Sequence, residues 1–124
     1  MSTRCLVNTD ILVDYLRGYE KARLFFEKHQ NLMSFSAITV SEIYTGTKAT
    51  ETSRMDEFMH LFPVLPVTFE IARLSGQYKQ HFDPMTGLSL ADAVIAATAE
   101  IHSLQIKTRN IKHYPMLKKL KPAY

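Results

Sequence analysis

Short apolar runs alternate with stretches of helical spacing along almost the whole of this chain, and that alternation limits its fold more than any other feature. Residues 4–7, 32–36 and 104–108 read as strands. Val64 and Leu65, bracketed by Pro63 and Pro66, read as a short strand near a sheet edge, because proline cannot donate to a ladder. Ile11, Leu12, Tyr15 and Leu16 mark one face of a first helix that Gly18 is placed to stop. Helical spacing then predicts helices over 20–29, 38–50 and 53–61, and a longer one from Thr68 that closes at Asp83 and Pro84. The next helix carries Leu90, Ala93, Val94, Ala97 and Ile101 on one face, with Ala91, Ile95, Ala96 and Ala99 elsewhere. It has little polar face and belongs at the centre. Strands separated by helices favour an α/β fold with a parallel or mostly parallel sheet covered on both faces.

A chain of 124 residues without a Gly/Ser linker or internal repeat is expected to form one domain over 1–124, with one real core. Its 46% apolar and 22% charged composition excludes a disordered chain. The single cysteine, Cys5, lies in an apolar run, so a reduced and buried thiol is expected. No apolar stretch approaches the roughly 18 residues of a membrane span, and the chain opens without a hydrophobic signal segment. The expectation is a soluble, unexported, cytoplasmic protein with no membrane partner. A net charge of +3 leans mildly toward anionic partners.

Ligands of such folds bind beyond the carboxyl ends of the strands, which here means residues 7–9, 36–39 and 108–110. Polar residues gather at or just past these places: Asn8, Thr9, Asp10 and Asp14, then Glu42, Asp92, Thr108 and Asn110. Each has a structural use as well. Thr39 to Glu42 and Ser89 to Asp92 match the capping box, Asn8 suits an N-cap, and Asp10 suits the opening turn of a helix. Capping does not explain their convergence at one sheet edge. Carboxylates brought together need a cation, and oxygen ligands without thiolates suit Mg²⁺ or Mn²⁺ rather than zinc. The five histidines include no pair at i, i+4. Such a cation suits phosphodiester hydrolysis, and helix N-termini would draw phosphate toward it.

The segments NTDILVD, ITVSEIYTG, DAVIAATA and TRN, in that order, resemble the PIN-domain nucleases and most of all their VapC toxin branch. The resemblance spans nearly the whole chain. It implies a three-layer α/β/α sandwich with a mostly parallel sheet, a Mg²⁺- or Mn²⁺-dependent endoribonuclease, an antitoxin partner that masks the site, and a homodimer. Glu42 and Asp92 match acids of the family's site, and Asn110 lies where a fourth acid or an asparagine is found. Asn8 matches the first acid, with Asn8, Asp92 and Glu42 as the implied metal ligands. An amide is a neutral and weaker ligand than the family's aspartate, so the chain as written reads as an impaired nuclease, whether that change was introduced or natural.

Thr9, Asp10 and Thr108 are candidates for supporting roles at this site, and Arg109, Lys112 and His113 for contacts with RNA. The lysines on to Lys121 read equally well as a solvated tail. Met55, Phe58, Met59 and Phe62 suit either a groove for an antitoxin helix or core packing. Two other functions compete with the nuclease. One is a catalytically dead PIN-fold protein that keeps its antitoxin or RNA partner. The other is a phosphoacceptor receiver domain, which needs an aspartate at the end of a middle strand, whereas Glu42 and Asp92 open helices.

Overall fold

A computed structural model describes residues 4–117 and 120–124. Strands β1 (Cys5–Val7), β2 (Met33–Ser36), β3 (Val64–Leu65) and β4 (Gln105–Lys107) form a sheet in the order β3-β2-β1-β4, with parallel pairing throughout. Parallel neighbours need crossover connections. These are supplied by α1 (Thr9–Leu16), α2 (Glu20–Lys28), α3 (Ala37–Thr45), α4 (Thr52–Met59), α5 (Phe69–Thr86) and α6 (Leu90–His102). β3 lies at the edge, as the flanking prolines require, and Pro63 still accepts from the Phe35 amide at 3.0 Å through its carbonyl.

Side chains alternate along a strand, so Cys5 and Val7 face one way and Leu6 the other. Cys5, Val7, Met33 and Phe35 pack against Ile11 and Leu12 of α1, Phe25 and Phe26 of α2, and Met59 of α4. Leu6 and Ile106 pack on the opposite face against Ile95, Ala96 and Ala99 of α6 and against Tyr114. α5 lies outside α6, where Ile71 meets Val94 and Ala97. The alanines of α6 let it approach sheet and neighbouring helix together, which is why the most apolar helix is central. The result is a three-layer α/β/α sandwich.

Cys5 is buried, and burial pushes its thiol above the usual cysteine range, so it stays protonated. Met59 joins the core while Met55, Phe58 and Phe62 pack onto it, which makes that stripe a packing surface. No helix among the described residues is long and apolar enough to cross a membrane. Lys118 and Lys119 of the basic tail lie outside the described residues.

Three helix ends differ from the sequence reading by more than one residue. α4 stops at Met59 instead of residue 61. α3 stops at Thr45 instead of continuing to residue 50, and a 3-10 turn over Ala49–Glu51 leads into α4. α5 passes through Pro84 to Thr86. A proline in the last turn removes one bond beside a helix end, where bonds are already incomplete, and so does not stop the helix.

Gly18 follows α1 with φ of +79° and open space around its missing Cβ. Gly18→Ala is therefore expected to cost about 1 kcal/mol from backbone conformation alone. A urea midpoint unchanged by this substitution would contradict the left-handed turn.

Candidate active site at the carboxyl edge of the sheet

β1 ends at Val7, and the chain turns directly into α1 through Asn8. Asn8 has the extended backbone of an N-cap but makes no side-chain cap bond. Its amide is buried and turned across the sheet edge instead. Nδ2 donates to Thr108 Oγ1 at 3.0 Å, and Oδ1 accepts from the Tyr114 hydroxyl at 2.8 Å. The capping use of Asn8 is thereby corrected: its side chain is committed to the strand end beside it.

Asp92 reaches the same place from α6, the helix packed over Leu6 and Ile106. Ser89 caps α6 by accepting from the Asp92 amide at 3.1 Å. The Asp92 carboxylate does not return the bond. Oδ1 lies 3.3 Å from the Tyr114 hydroxyl and Oδ2 lies 3.2 Å from His113 Nδ1, so only half of the expected capping box exists.

Glu42 departs further from the capping reading. α3 is capped by Ser36, whose Oγ accepts from the Ile38 amide at 3.1 Å, and this puts Thr39 inside the helix and fully buried. Glu42 then lies beyond the first turn, where no free amide remains to be capped. Its Oε1 accepts from Thr9 Oγ1 at 2.6 Å, and Thr9 Oγ1 also stands 3.0 Å from Thr39 Oγ1.

A second network ties α1 to the segment after β4. Asp10 Oδ1 accepts from the Ile11 amide at 2.8 Å. Its Oδ2 accepts from Thr108 Oγ1 at 3.1 Å, the Arg109 amide at 2.9 Å and Asn110 Nδ2 at 3.2 Å. Asn110 is thus turned toward Asp10, with its own amide donating to Thr108 Oγ1 at 3.0 Å. One turn along α1, Asp14 holds Arg109 Nε at 2.7 Å and accepts from the Tyr124 hydroxyl. Lys112 is exposed on the 3-10 turn Ile111–His113.

Tyr114 is the residue that inspection of the sequence missed. It is 1% exposed, and its hydroxyl stands between Asn8 and Asp92. Burial pushes its pKa far above the ordinary tyrosine value, and the charges of Asp92, Asp10 and Glu42 push the same way. The hydroxyl is therefore a fixed neutral donor, and the fields of three carboxylates meet on it. A lone tyrosine after a short polar turn carries no periodic signal, so nothing local marked it out.

Tyr114→Phe leaves Asn8 Oδ1 without its donor in a buried setting and is expected to cost about 1–3 kcal/mol in urea unfolding near neutral pH. Because the folded pKa is raised, this hydroxyl's stabilisation is complete below about pH 10 and declines as pH rises toward the folded value. The stability gap between the two proteins should narrow above that pH. A gap that widens in alkali would contradict the buried neutral hydroxyl.

Among the described residues, no three histidine, cysteine, aspartate or glutamate side chains form a group that could hold a metal ion. In kind, the donors at this edge fit a hard divalent cation, since Asn8, Asp92 and Glu42 all offer oxygen. In charge they fall short, because Asn8 is neutral.

The PIN domain family model matches residues 5–115. The chain is 32% identical over 122 residues to Ribonuclease VapC10 of Mycobacterium tuberculosis, across 96% of this chain and 92% of that one. It is 29% identical to Ribonuclease VapC19 of the same species, across 96% and 98% of the two chains. Among solved structures, a toxin-antitoxin complex from Klebsiella pneumoniae superimposes with a TM-score of 0.82 at 29% identity, covering 97% of this chain and 98% of that one. With the parallel β3-β2-β1-β4 sheet and near-complete coverage by these relatives, the chain belongs to the PIN-domain family and stands among its VapC proteins.

Proposed function

We propose that this chain is the ribonuclease toxin of a toxin-antitoxin pair, a single-domain cytoplasmic protein that hydrolyses RNA phosphodiester bonds with Mg²⁺ or Mn²⁺, and that Asn8 weakens it. The observation that carries this reading is that the Tyr114 hydroxyl joins Asn8 and Asp92 at the strand ends, where Thr9 also bonds Glu42 and Thr108 bonds Asp10. The ribonuclease names of its relatives and the toxin-antitoxin complex among its structural neighbours support it.

Asp92 and Glu42 would hold the cation ionically and Asn8 Oδ1 as a neutral third ligand. When bound, the cation supplies positive charge against the phosphoryl oxygens and makes water a better nucleophile. The chain's own groups prepare that place. Tyr114 and His113 orient Asp92, Thr9 orients Glu42, and Asp10 with Thr108 holds the Asn110 corner. Arg109, Lys112 and His113, on the segment after β4, are the proposed contacts for phosphates of the substrate strand. An antitoxin that covers this edge, and a second copy of the chain, complete the proposed assembly.

A second reading is favoured by the bonding of Asn8, whose amide has a protein partner at both ends. In it, the chain is a catalytically dead PIN-fold protein that keeps its antitoxin or RNA partner. Cellular RNA incubated with the Asn8→Asp protein separates the two. Cleavage that EDTA stops supports the nuclease. Binding of RNA or antitoxin without any cleavage supports the dead form.

A further inference from the structure

We propose that the cleft at the C-terminal end of α1, lined by Asp14, Arg17, Gly18, Tyr19 and Arg109, is a nucleotide subsite. It would take one nucleotide of single-stranded RNA beside the bond to be cut, with its base on Tyr19 and its phosphate at Arg17. The inference rests on the ribonuclease reading and adds a place where the substrate strand is gripped.

The cleft has a volume of about 510 Å³, within the range of about 300–1,000 Å³ typical of small-ligand sites. Arg109 joins it to the candidate active site, since its backbone amide is held by Asp10 while its guanidinium reaches Asp14. Asp14 would repel phosphate if it stood alone. It is neutralised by Arg109 and bonded by the Tyr124 hydroxyl, which leaves Arg17 as the available cation. Among the described residues the Arg17 side chain has no hydrogen bond or ion pair, and it also lines the neighbouring cleft that contains Glu42. A strand passing from Glu42 over α1 would meet Arg17 on its way.

Tyr19 is 46% exposed and lines this cleft together with Arg17 and Arg109. It is also rigidly mounted. The left-handed turn at Gly18 and the Tyr19 amide donating to the Asp14 carbonyl at 3.0 Å fix its backbone, and Tyr124 backs its ring at 5.9 Å between centroids. A fixed aromatic face next to an unpaired cation is how proteins hold an unstacked RNA base and its phosphate. An acidic peptide would use the cations but has no need of the ring, so the ring favours RNA.

The test titrates a short fluorescein-labelled single-stranded RNA into the full chain in EDTA, alongside cleavage by the Asn8→Asp protein in Mn²⁺. Tyr19→Ala should weaken RNA binding roughly 10-fold to 100-fold, the usual loss of one stacked base, while Tyr19→Phe stays within about 2-fold and controls for folding. Arg17→Gln should flatten the slope of log affinity against log salt by about 0.7, the value of one phosphate contact on a single strand. In the Asn8→Asp background, Tyr19→Ala should act on KM and leave kcat near its parent value.

If Asn8→Asp cleaves RNA while Tyr19→Ala binds as tightly as the parent, the subsite is wrong and the ribonuclease reading stands. If Asn8→Asp neither binds nor cleaves, both fall. If, in a parallel titration with a fluorescein-labelled oligoglutamate peptide, Tyr19→Ala and Arg17→Gln weaken peptide binding and leave RNA binding unchanged, the cleft is a peptide site and the RNA assignment is overturned.

Discussion

Asn8→Asp is expected to raise Mg²⁺- or Mn²⁺-dependent RNA cleavage by about 100-fold to 1,000-fold, equivalent to roughly 3–4 kcal/mol of transition-state stabilisation. The substitution adds one negative charge at a buried position, the one proposed above as the neutral third ligand, where a cation would be least screened by water. The same charge should make the protein less stable without metal. At present Asn8 Nδ2 donates to Thr108 Oγ1, and Thr108 donates onward to Asp10. An aspartate cannot donate there, and the single Thr108 proton cannot serve two carboxylates.

The new carboxylate would also join Asp92 beside the Tyr114 hydroxyl. A loss of about 1–3 kcal/mol in EDTA is expected. Cation at 100 times its Kd should restore about 2.7 kcal/mol through mass action. Paired melting curves, with EDTA and with Mn²⁺, read both halves of the effect. A variant that melts at the same temperature in both buffers has no cation site, and the metal reading would fail with it.

Phe35→Ala is the substitution expected to cost the most stability, about 3–5 kcal/mol in urea unfolding. Phe35 is fully buried in β2, with its ring meeting Phe62 edge to face at 5.1 Å. Neighbouring strands flank it on both sides, so the cavity has few ways to collapse. The residue after it, Ser36, caps α3, and α3 carries Glu42. Loss of this ring should therefore loosen the mounting of Glu42 as well as the core. Leu61→Ala makes the contrast, since Leu61 is 73% exposed and its truncation should stay within about 0.5 kcal/mol. Equal costs for the two would show that the sheet is not packed as described.

The strands and helices were legible because each is written in local periodicity: Ile11, Leu12 and Tyr15 for α1, the alanine-rich run for α6, and the two prolines for the short edge strand. Boundaries were less legible where two signals competed. Thr39 with Glu42 has the spacing of a capping box, but Ser36 stands at the end of β2 and caps first, so Thr39 is drawn into the helix and Glu42 is freed to meet Thr9. Pro84 reads as a stop, yet it falls where the helix has few bonds left to lose.

What the sequence alone determined is the α/β class, the parallel sheet and the strand ends at which polar groups would gather. Only the tertiary structure decided how those groups are bonded. Asn8 meets Tyr114, and Asp10 meets Asn110, across distances along the chain that no periodicity spans, because the β1 and β4 strand ends become neighbours only when the sheet forms. The physical reason is directional. Periodicity records which face of an element is apolar, whereas a hydrogen bond depends on where two side chains point once their elements have packed.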